Sequence, residues 1–368
     1  MLDVQFLSFR PMLGYGTTEI RCQQPVQFLR EAGKTAKACH FLEAPASKCR
    51  LLVLHRVRDT PLISRIVDLA RARGATIMYD VDDLIEKNQG DGELDPEIRA
   101  AMMKADRVLA SGTFLKTKIS AFHSDCVVLR NKMSNAILEQ GARATEQRTE
   151  PNDTVSIGYF SGSNHHDADF RMITPALLRT MHDHKNVRLV VGGKLNIDNA
   201  FAEFSERVIF EPFRPYAEFM ALLADIDIAL APLDLGSEFA QARSELKYLE
   251  AGAFGVPTLA SPTLAFKEAI AHGKTGLLVK VEEWYDWLSQ CISDAALRRS
   301  LGSAARKHIE EKYSAASGRA EWKNLLEAEL DHTGQRDTPQ RKMAIRAAEV
   351  TIRAKGAQAK ATLKRWFR

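Results

Sequence analysis

The 368-residue sequence predicts an α/β fold built from two facing doubly wound, Rossmann-like domains, and three observations carry that reading. Short apolar, strand-like runs alternate with helical patterns through the first third of the chain, which is how a parallel sheet with crossover helices is written. The same alternation begins afresh at SIGYF, near residue 155. Between the two series, EQGARATEQRTEPNDT (139–154) holds almost no large apolar residue and reads as a linker. The expected layout is therefore a first domain over 1–140, a linker over 141–154, a second domain over 155–313, a helix over 314–332 and a polar, basic tail over 333–368. At 45% hydrophobic and 27% charged residues the composition is that of an ordinary soluble protein, long enough for two domains.

The totals also exclude classes. No run of about 18 apolar residues suggests a membrane span, and the start MLDVQFLSFRPM lacks the basic-then-apolar layout of a signal peptide. A cytoplasmic location is expected. The five cysteines, Cys22, Cys39, Cys49, Cys126 and Cys291, are scattered and never form C-x-x-C, so neither a disulfide framework nor a zinc site is expected. The net charge is +4, yet residues 341–368 hold nine Lys or Arg against the single acid Glu349, which leaves the body net acidic. That alanine-rich tail, tipped by Trp366 and Phe367, reads either as a segment lying on an anionic bilayer or as a solvated end. Nucleic acid is not an expected partner.

In order along the first domain, VQFLSF is a strand, and the loop RPMLGYGTTEIR carries Gly14 and Gly16 before a helix over Arg21 to Glu31. LLVLH, TIMYDVDD, RVLAS and CVVLRN are further strands, separated by helices from Pro61 to Arg73, near Pro96 to Lys104 and after Thr113. Ligands bind such sheets beyond the carboxyl ends of the strands, where His55, Asp80, Asp82, Asp83 and Asn131 fall. The triplet Asp80, Asp82 and Asp83 fits oxygen ligation of a divalent metal. Against that, Asp83 before LIEK is also placed to cap a helix, and Asp82 to orient an acceptor or act as a base. Arg21 either meets an anionic group or caps its helix.

In the second domain SIGYF, RLVVGG, RVIFEP, IDIALAP, PTLAS and TGLLV are strands. The loop SGSNHHDADF after the first of them offers Gly162 and Ser163 for a tight turn, and His165 and His166 for proton traffic or for capping. Phe213, in PFRPYAEF, is either core or a stacking platform. The richest stretch is QARSELKYLEAGAFGVPTLAS (241–261), a helix running into a buried strand. If that helix begins near Ser244, Leu246, Leu249 and Ala253 form its apolar stripe, while Arg243, Lys247 and Glu250 share a neighbouring face. A helix N-terminus with two cations beside it suits a pyrophosphate, and Glu250 suits a ribose diol.

The run LEAGAFGVPTLAS, followed by FKEAIAHGKTGLLV, resembles the donor-site half of glycosyltransferase family 4, the retaining sugar-nucleotide transferases of GT-B fold. Glu250, Ala251, Gly255 and Pro257 stand in register with the family's second glutamate and its E-A-x-x-x-G-x-P run, whereas Ala242 occupies the place of the first glutamate. Arg243, Ser244, Lys247 and Glu250 resemble the basic-Ser-x-x-Lys-x-x-Glu arrangement of a subgroup. The resemblance implies GT-B architecture with a C-terminal crossover helix, and hexose transfer from a nucleoside diphosphate sugar to a glycan or lipid-linked acceptor in surface polysaccharide biosynthesis, without a required metal or other cofactor. By residue, it implies Lys247 and Arg243 as the catalytic charges; Asp82 and His166 are further catalytic candidates by their own chemistry. Gly162, Ser163, Phe213, Ser244 and Glu250 would hold the donor, and Gly14, Gly16 and Arg21 would border the acceptor. Together with the basic tail, it places the protein in the cytoplasm or on the inner face of the membrane. Two rival readings are a non-catalytic nucleotide-sugar or glycan-binding module and a nucleotide-sugar epimerase of similar architecture.

Overall fold

The computed structural model describes the whole chain except residues 13, 44–47, 89–91, 148–152, 163–165, 196, 198 and 332–368. Ser163, His165 and the basic tail therefore lie outside the described residues. The chain divides into two compact units, Met1–Arg130 with Ala316–Arg368, and Asn131–Ala315.

The first unit begins with β1 (Leu2–Ser8), then α1 (Gly16–Thr18), which passes through a π-helical turn (Glu19–Gln23) into α2 (Gln24–Glu31). There follow β2 (Ala36–His40), β3 (Cys49–His55), α3 (Pro61–Ala72), β4 (Thr76–Val81), α4 (Pro96–Met103), β5 (Arg107–Ala110), α5 (Thr113–Ser120) and β6 (Cys126–Val128). All strands pair in parallel in the order β2-β1-β3-β4-β5-β6. Helices cover both faces of such a sheet, so its central strands are buried nearly end to end and read as unbroken apolar runs. Helix starts follow local chemistry: Thr60 caps α3 and Asp95 caps α4, each ahead of a proline whose missing N–H costs nothing there.

The second unit contains α6 (Asn135–Gln147), β7 (Val155–Ser161), α7 (Asp167–Asp183), β8 (Val187–Gly193), β9 (Val208–Glu211), α8 (Tyr216–Leu222) and β10 (Ile228–Ala231). It continues with α9 (Glu238–Gln241), α10 (Leu246–Ala253), β11 (Thr258–Ala260), α11 (Leu264–Ala269), β12 (Leu277–Leu278), α12 (Trp284–Ser293) and α13 (Ala295–Lys312). Its sheet is also parallel, in the order β12-β11-β10-β7-β8-β9. One core, from Tyr159 and Phe170 to Trp284 and Leu301, fills the space between sheet and helices. Finally α14 (Ala315–Asp331) returns the chain to the first unit, where Trp322 meets Phe6 edge-on at 5.3 Å and Arg319 pairs with Glu31 at 2.5 Å.

Two local expectations need correction. The stretch expected as a linker is helical as far as Gln147. It packs through small and polar groups rather than an apolar stripe: a Cβ on Gly141 would stand 2.0 Å from the Ala253 carbonyl oxygen, and the Leu138 carbonyl accepts from Arg306 at 3.1 Å. A helix held by backbone approach leaves no hydrophobic period to read. Likewise LIEK after Asp83 is not helical, so Asp83 caps nothing there.

Candidate functional site

In both sheets the strand order reverses once, between β1 and β3 and between β7 and β10, and ligands of open parallel sheets bind at the carboxyl ends of strands flanking such a reversal. In the second unit, side chains from four elements converge there. The backbone turns off β8 at Gly193, whose φ of 93° suits glycine, and a Cβ at this position would lie 2.0 Å from the Ser161 carbonyl oxygen. Lys194 follows, its N–H bonded to the Ser161 carbonyl at 2.8 Å and its ammonium 5.2 Å from the centre of the Phe213 ring. Phe213 is 44% exposed, so it is no part of the core. At Gly162, apart from the residue itself and its chain neighbours, no atom of the described residues lies within 4 Å of where a side chain would begin.

Lys247, in the first turn of α10, donates through Nζ to the Phe160 carbonyl at the end of β7 and lies 4.8 Å from the centre of the Tyr159 ring. Burial lowers its pKa to about 8; Glu250 opposes that shift and Arg243 adds to it. Glu250, one turn on, is pushed up to about 7 by burial, against the pull of Lys247 and a hydrogen bond with Tyr216. Among the described residues no salt bridge joins Lys247 to Glu250, so the lysine is held by a neutral carbonyl rather than by a structural ion pair.

Arg243 is not on the helix. A loop, 242–245, intervenes between α9 and α10, and α10 starts at Leu246 rather than near Ser244. Arg243 therefore does not share a helical face with Lys247 and Glu250, and Ser244 is a loop residue whose hydroxyl accepts from Asn131 Nδ2 at 2.9 Å. The Arg243 guanidinium lies 4.4 Å from the centre of the Phe239 ring and donates to His166 Nε2 at 2.9 Å. His166 Nδ1 in turn meets Asp169 Oδ2 at 2.8 Å, and Asp169 Oδ1 accepts the Asp234 N–H at 2.9 Å. Burial lowers the His166 pKa to about 4, with Asp169 resisting and Arg243 and Lys247 contributing. The imidazole is thus neutral near pH 7; its Nε2 lone pair receives Arg243, so its proton sits on Nδ1 and points at Asp169. Both ring nitrogens are thus engaged, Nε2 with Arg243 and Nδ1 with Asp169. Asp169, which sequence reasoning missed, anchors this chain; its only signal was the three-residue spacing from His166 at the start of α7.

The first unit gathers its expected residues differently. Arg21 is turned inward, 3% exposed, with Nε and Nη2 on Asp80 at 3.1 and 2.5 Å and Nη1 on the Leu129 carbonyl at 2.7 Å. His55 Nδ1 meets the same Asp80 at 2.9 Å. Arg21 and Asp80 are a buried structural pair, so Arg21 neither contacts a substrate anion nor serves simply as a cap. Asp82 takes the Arg56 Nε at 2.5 Å, and Asp83 lies 3.5 Å from Arg56 Nη2. Burial would raise the Asp82 pKa, but the Arg56, His55 and Arg21 charges override it and hold the carboxyl at about 2, which makes a poor base. Asp80 faces Arg21 and His55 whereas Asp82 and Asp83 share Arg56, and among the described residues these carboxylates do not form a cluster arranged to hold a metal ion. Gly14 has φ 85°, which its turn requires, and Gly16 opens α1.

The architecture is that of GT-B glycosyltransferases. Residues 154–294, the heart of the second unit, match the family model described as glycosyl transferases group 1. A stretch of 124 residues is 33% identical to the D-inositol 3-phosphate glycosyltransferase of Corynebacterium aurimucosum, covering 33% of this chain and 28% of that relative. Among solved structures, the chain is similar to Anabaena HepE in complex with UDP (14% identity, 89% of this chain, 100% of that one, TM-score 0.63). It is also similar to the sucrose-phosphate synthase of Thermosynechococcus elongatus (13% identity, 90% and 100%, TM-score 0.66). At such identities these structures speak for the fold alone.

Proposed function

We propose that the protein is a retaining glycosyltransferase that moves a hexose from a nucleoside diphosphate sugar to a glycan or lipid-linked acceptor, in the building of a surface polysaccharide. The observation that carries the reading is Lys247, an ammonium brought to the carboxyl end of β7 by a neutral carbonyl, within the stretch that matches the group 1 model. Such a cation, with Arg243 steered by His166, suits the charge that grows on the β-phosphate as the glycosyl bond breaks and the sugar gains oxocarbenium character. Preorganised donors at a developing charge supply the largest share of catalysis in many enzymes. Lys247 and Arg243 would neutralise the diphosphate without a metal. Glu250, hydrogen-bonded with Tyr216, would receive a ribose diol, and exposed Phe213 would stack on a base; Gly162 and Ser163 would border the phosphates. Complexes of the HepE structure with UDP agree with a nucleotide-sugar donor.

A thermal-shift panel of nucleotide sugars tests donor binding first. Product analysis by NMR with the best donor and candidate acceptors then tests transfer and retention. Donor binding without turnover of any kind would favour the binding-module reading; interconversion of the free nucleotide sugar would favour the epimerase. The basic tail, residues 341–368, is proposed to hold the enzyme to an anionic membrane surface on the cytoplasmic side.

A further inference from the structure

The reversal point of the first sheet carries its own set of charged and aromatic side chains, distinct from Arg21. Phe9 and Arg10 follow β1, Tyr15 precedes α1, and Arg56 follows β3, so all four stand at the carboxyl ends of the two strands between which the order turns. Phe9 and Tyr15 are 44% and 37% exposed, which is unusual for rings in a protein with so full a core. Phe9 is held flat against Phe41 at 6.2 Å, and Arg10 lies 5.2 Å from the centre of the Tyr15 ring. Arg56 is the only non-glycine residue with positive φ, 52°, among the described residues. A strained backbone at the end of a sheet strand recurs at ligand sites, where it aims a side chain. Arg56 uses Nε and Nη2 on Asp82 and Asp83, which leaves Nη1 without a hydrogen-bond partner among the described residues. No carboxylate of the described residues lies within salt-bridge distance of Arg10. Burial and then the Arg56 charge lower the Arg10 pKa, against Tyr15, Asp82 and Asp83.

We propose that Arg10 and Arg56 form an oxyanion site that takes the phosphate or carboxylate of an anionic sugar, whose ring packs on Phe9 and Tyr15. A guanidinium pair suits a tetrahedral phosphate or planar carboxylate through paired N–H groups, and the exposed parts of the two rings, flanked by Arg58 over Phe9 at 5.7 Å and by Arg10 over Tyr15, suit the C–H groups of a pyranose. The assignment of this sugar as the acceptor rests on the glycosyltransferase reading; the site itself does not.

The experiment is calorimetric titration of the full chain with glucose 6-phosphate, glucose 1-phosphate, glucuronate, glucose and inorganic phosphate, and separately with UDP. The expected result is saturable binding of at least one anionic sugar, none of neutral glucose, and at least tenfold weaker binding in Arg10→Gln, while Tyr15→Ala weakens it less and UDP affinity is unchanged in both. Lys247→Met should lose UDP and keep the anionic sugar. Equal affinity of wild type and Arg10→Gln overturns the site. Loss of the anionic sugar together with UDP in Lys247→Met shows that the anion belongs to the donor site and also overturns it. Inorganic phosphate binding as tightly as every sugar probe reduces the site to an adventitious anion and overturns the sugar assignment. Should no donor be turned over while Arg10-dependent binding persists, the transferase reading fails and this one stands.

Discussion

The two strand-order reversals share a topology and differ in what their cations are given. In the first unit the fully inward arginine meets an acid: Arg21 has Asp80. In the second, Lys247 is given a backbone carbonyl, and the partners of Arg243 include a neutral imidazole. A cation matched to a buried carboxylate is part of the scaffold. A cation such as Lys247, held by a carbonyl, is not neutralised by that partner. The contrast teaches that the partner, rather than the residue type, separates structural from functional charge.

The largest effect that sharpens this contrast is expected at Asp80. Asp80→Ala leaves Arg21 and His55 without their buried acid, and breaking such a pair costs about 3–5 kcal/mol. A urea titration should show that loss; a change under about 1 kcal/mol would mean the network is not structural. Next comes Lys247→Met, which removes a charge and keeps its stem. Turnover should fall about a hundredfold, ~2.7 kcal/mol as for other preorganised charge stabilisers, with no drop in melting temperature. Near-normal turnover at saturating donor would erase the difference between the two units.

A smaller effect is expected at Asp169. Asp169→Leu removes the acceptor that fixes the His166 tautomer, so Arg243 should lose its aim and turnover drop by about tenfold, ~1.4 kcal/mol. Unchanged turnover together with an unchanged pH profile would return His166 and Asp169 to a purely structural role.

The pH dependence follows from two opposed shifts. Lys247, lowered to about 8, loses its charge as pH rises through that value, and Glu250, raised to about 7, gains its charge only above it. Donor affinity should therefore peak between about pH 7 and 8 and fall on either side. Stability runs the other way. The raised Glu250 contributes stability that is full below its ordinary pKa of 4.5 and lost as pH rises through about 7. The depressed Lys247 contributes stability present above 10.5 and lost as pH falls through about 8. The unliganded protein should consequently show a local minimum in melting temperature near pH 7–8, absent from a Lys247→Met, Glu250→Gln double variant. A flat profile in the wild type would show that the two groups are not buried as charges. The smallest effect on chemistry is expected from deleting residues 341–368, which should leave turnover on a soluble acceptor intact and abolish binding to anionic liposomes. Equal liposome binding by the truncated chain would dismiss the tail's role.

Much of the fold was legible because its physics is local. A parallel strand covered on both faces must be a run of buried apolar residues, so VQFLSF, LLVLH, SIGYF and IDIALAP announced β1, β3, β7 and β10. The edge strand β2 (AKACH), with only Ala36 and Cys39 buried, carried too weak a pattern. Helix α6 was hidden because it packs through Gly141 and main-chain groups. The helix bearing Glu250 and the strand after Pro257 were legible because a helix running into a buried strand is written within one short stretch.

What a side chain meets across the fold is written nowhere in a stretch of sequence. Arg21 and Arg243 are both arginines beside a glycine-bearing loop in the text of the chain. Only the packing of β4 against the π-helical turn gives the first to Asp80, 59 residues away, and only the return of the chain from α9 gives the second to His166, 77 residues away. Periodicity is set by neighbours a few positions apart, so the sequence by itself determined the strands, most helices and the stretch that bears the site. Pairing, burial and the pKa shifts they cause are set by residues brought together from distant positions, so the tertiary structure alone decided which charge meets a buried carboxylate and which a carbonyl.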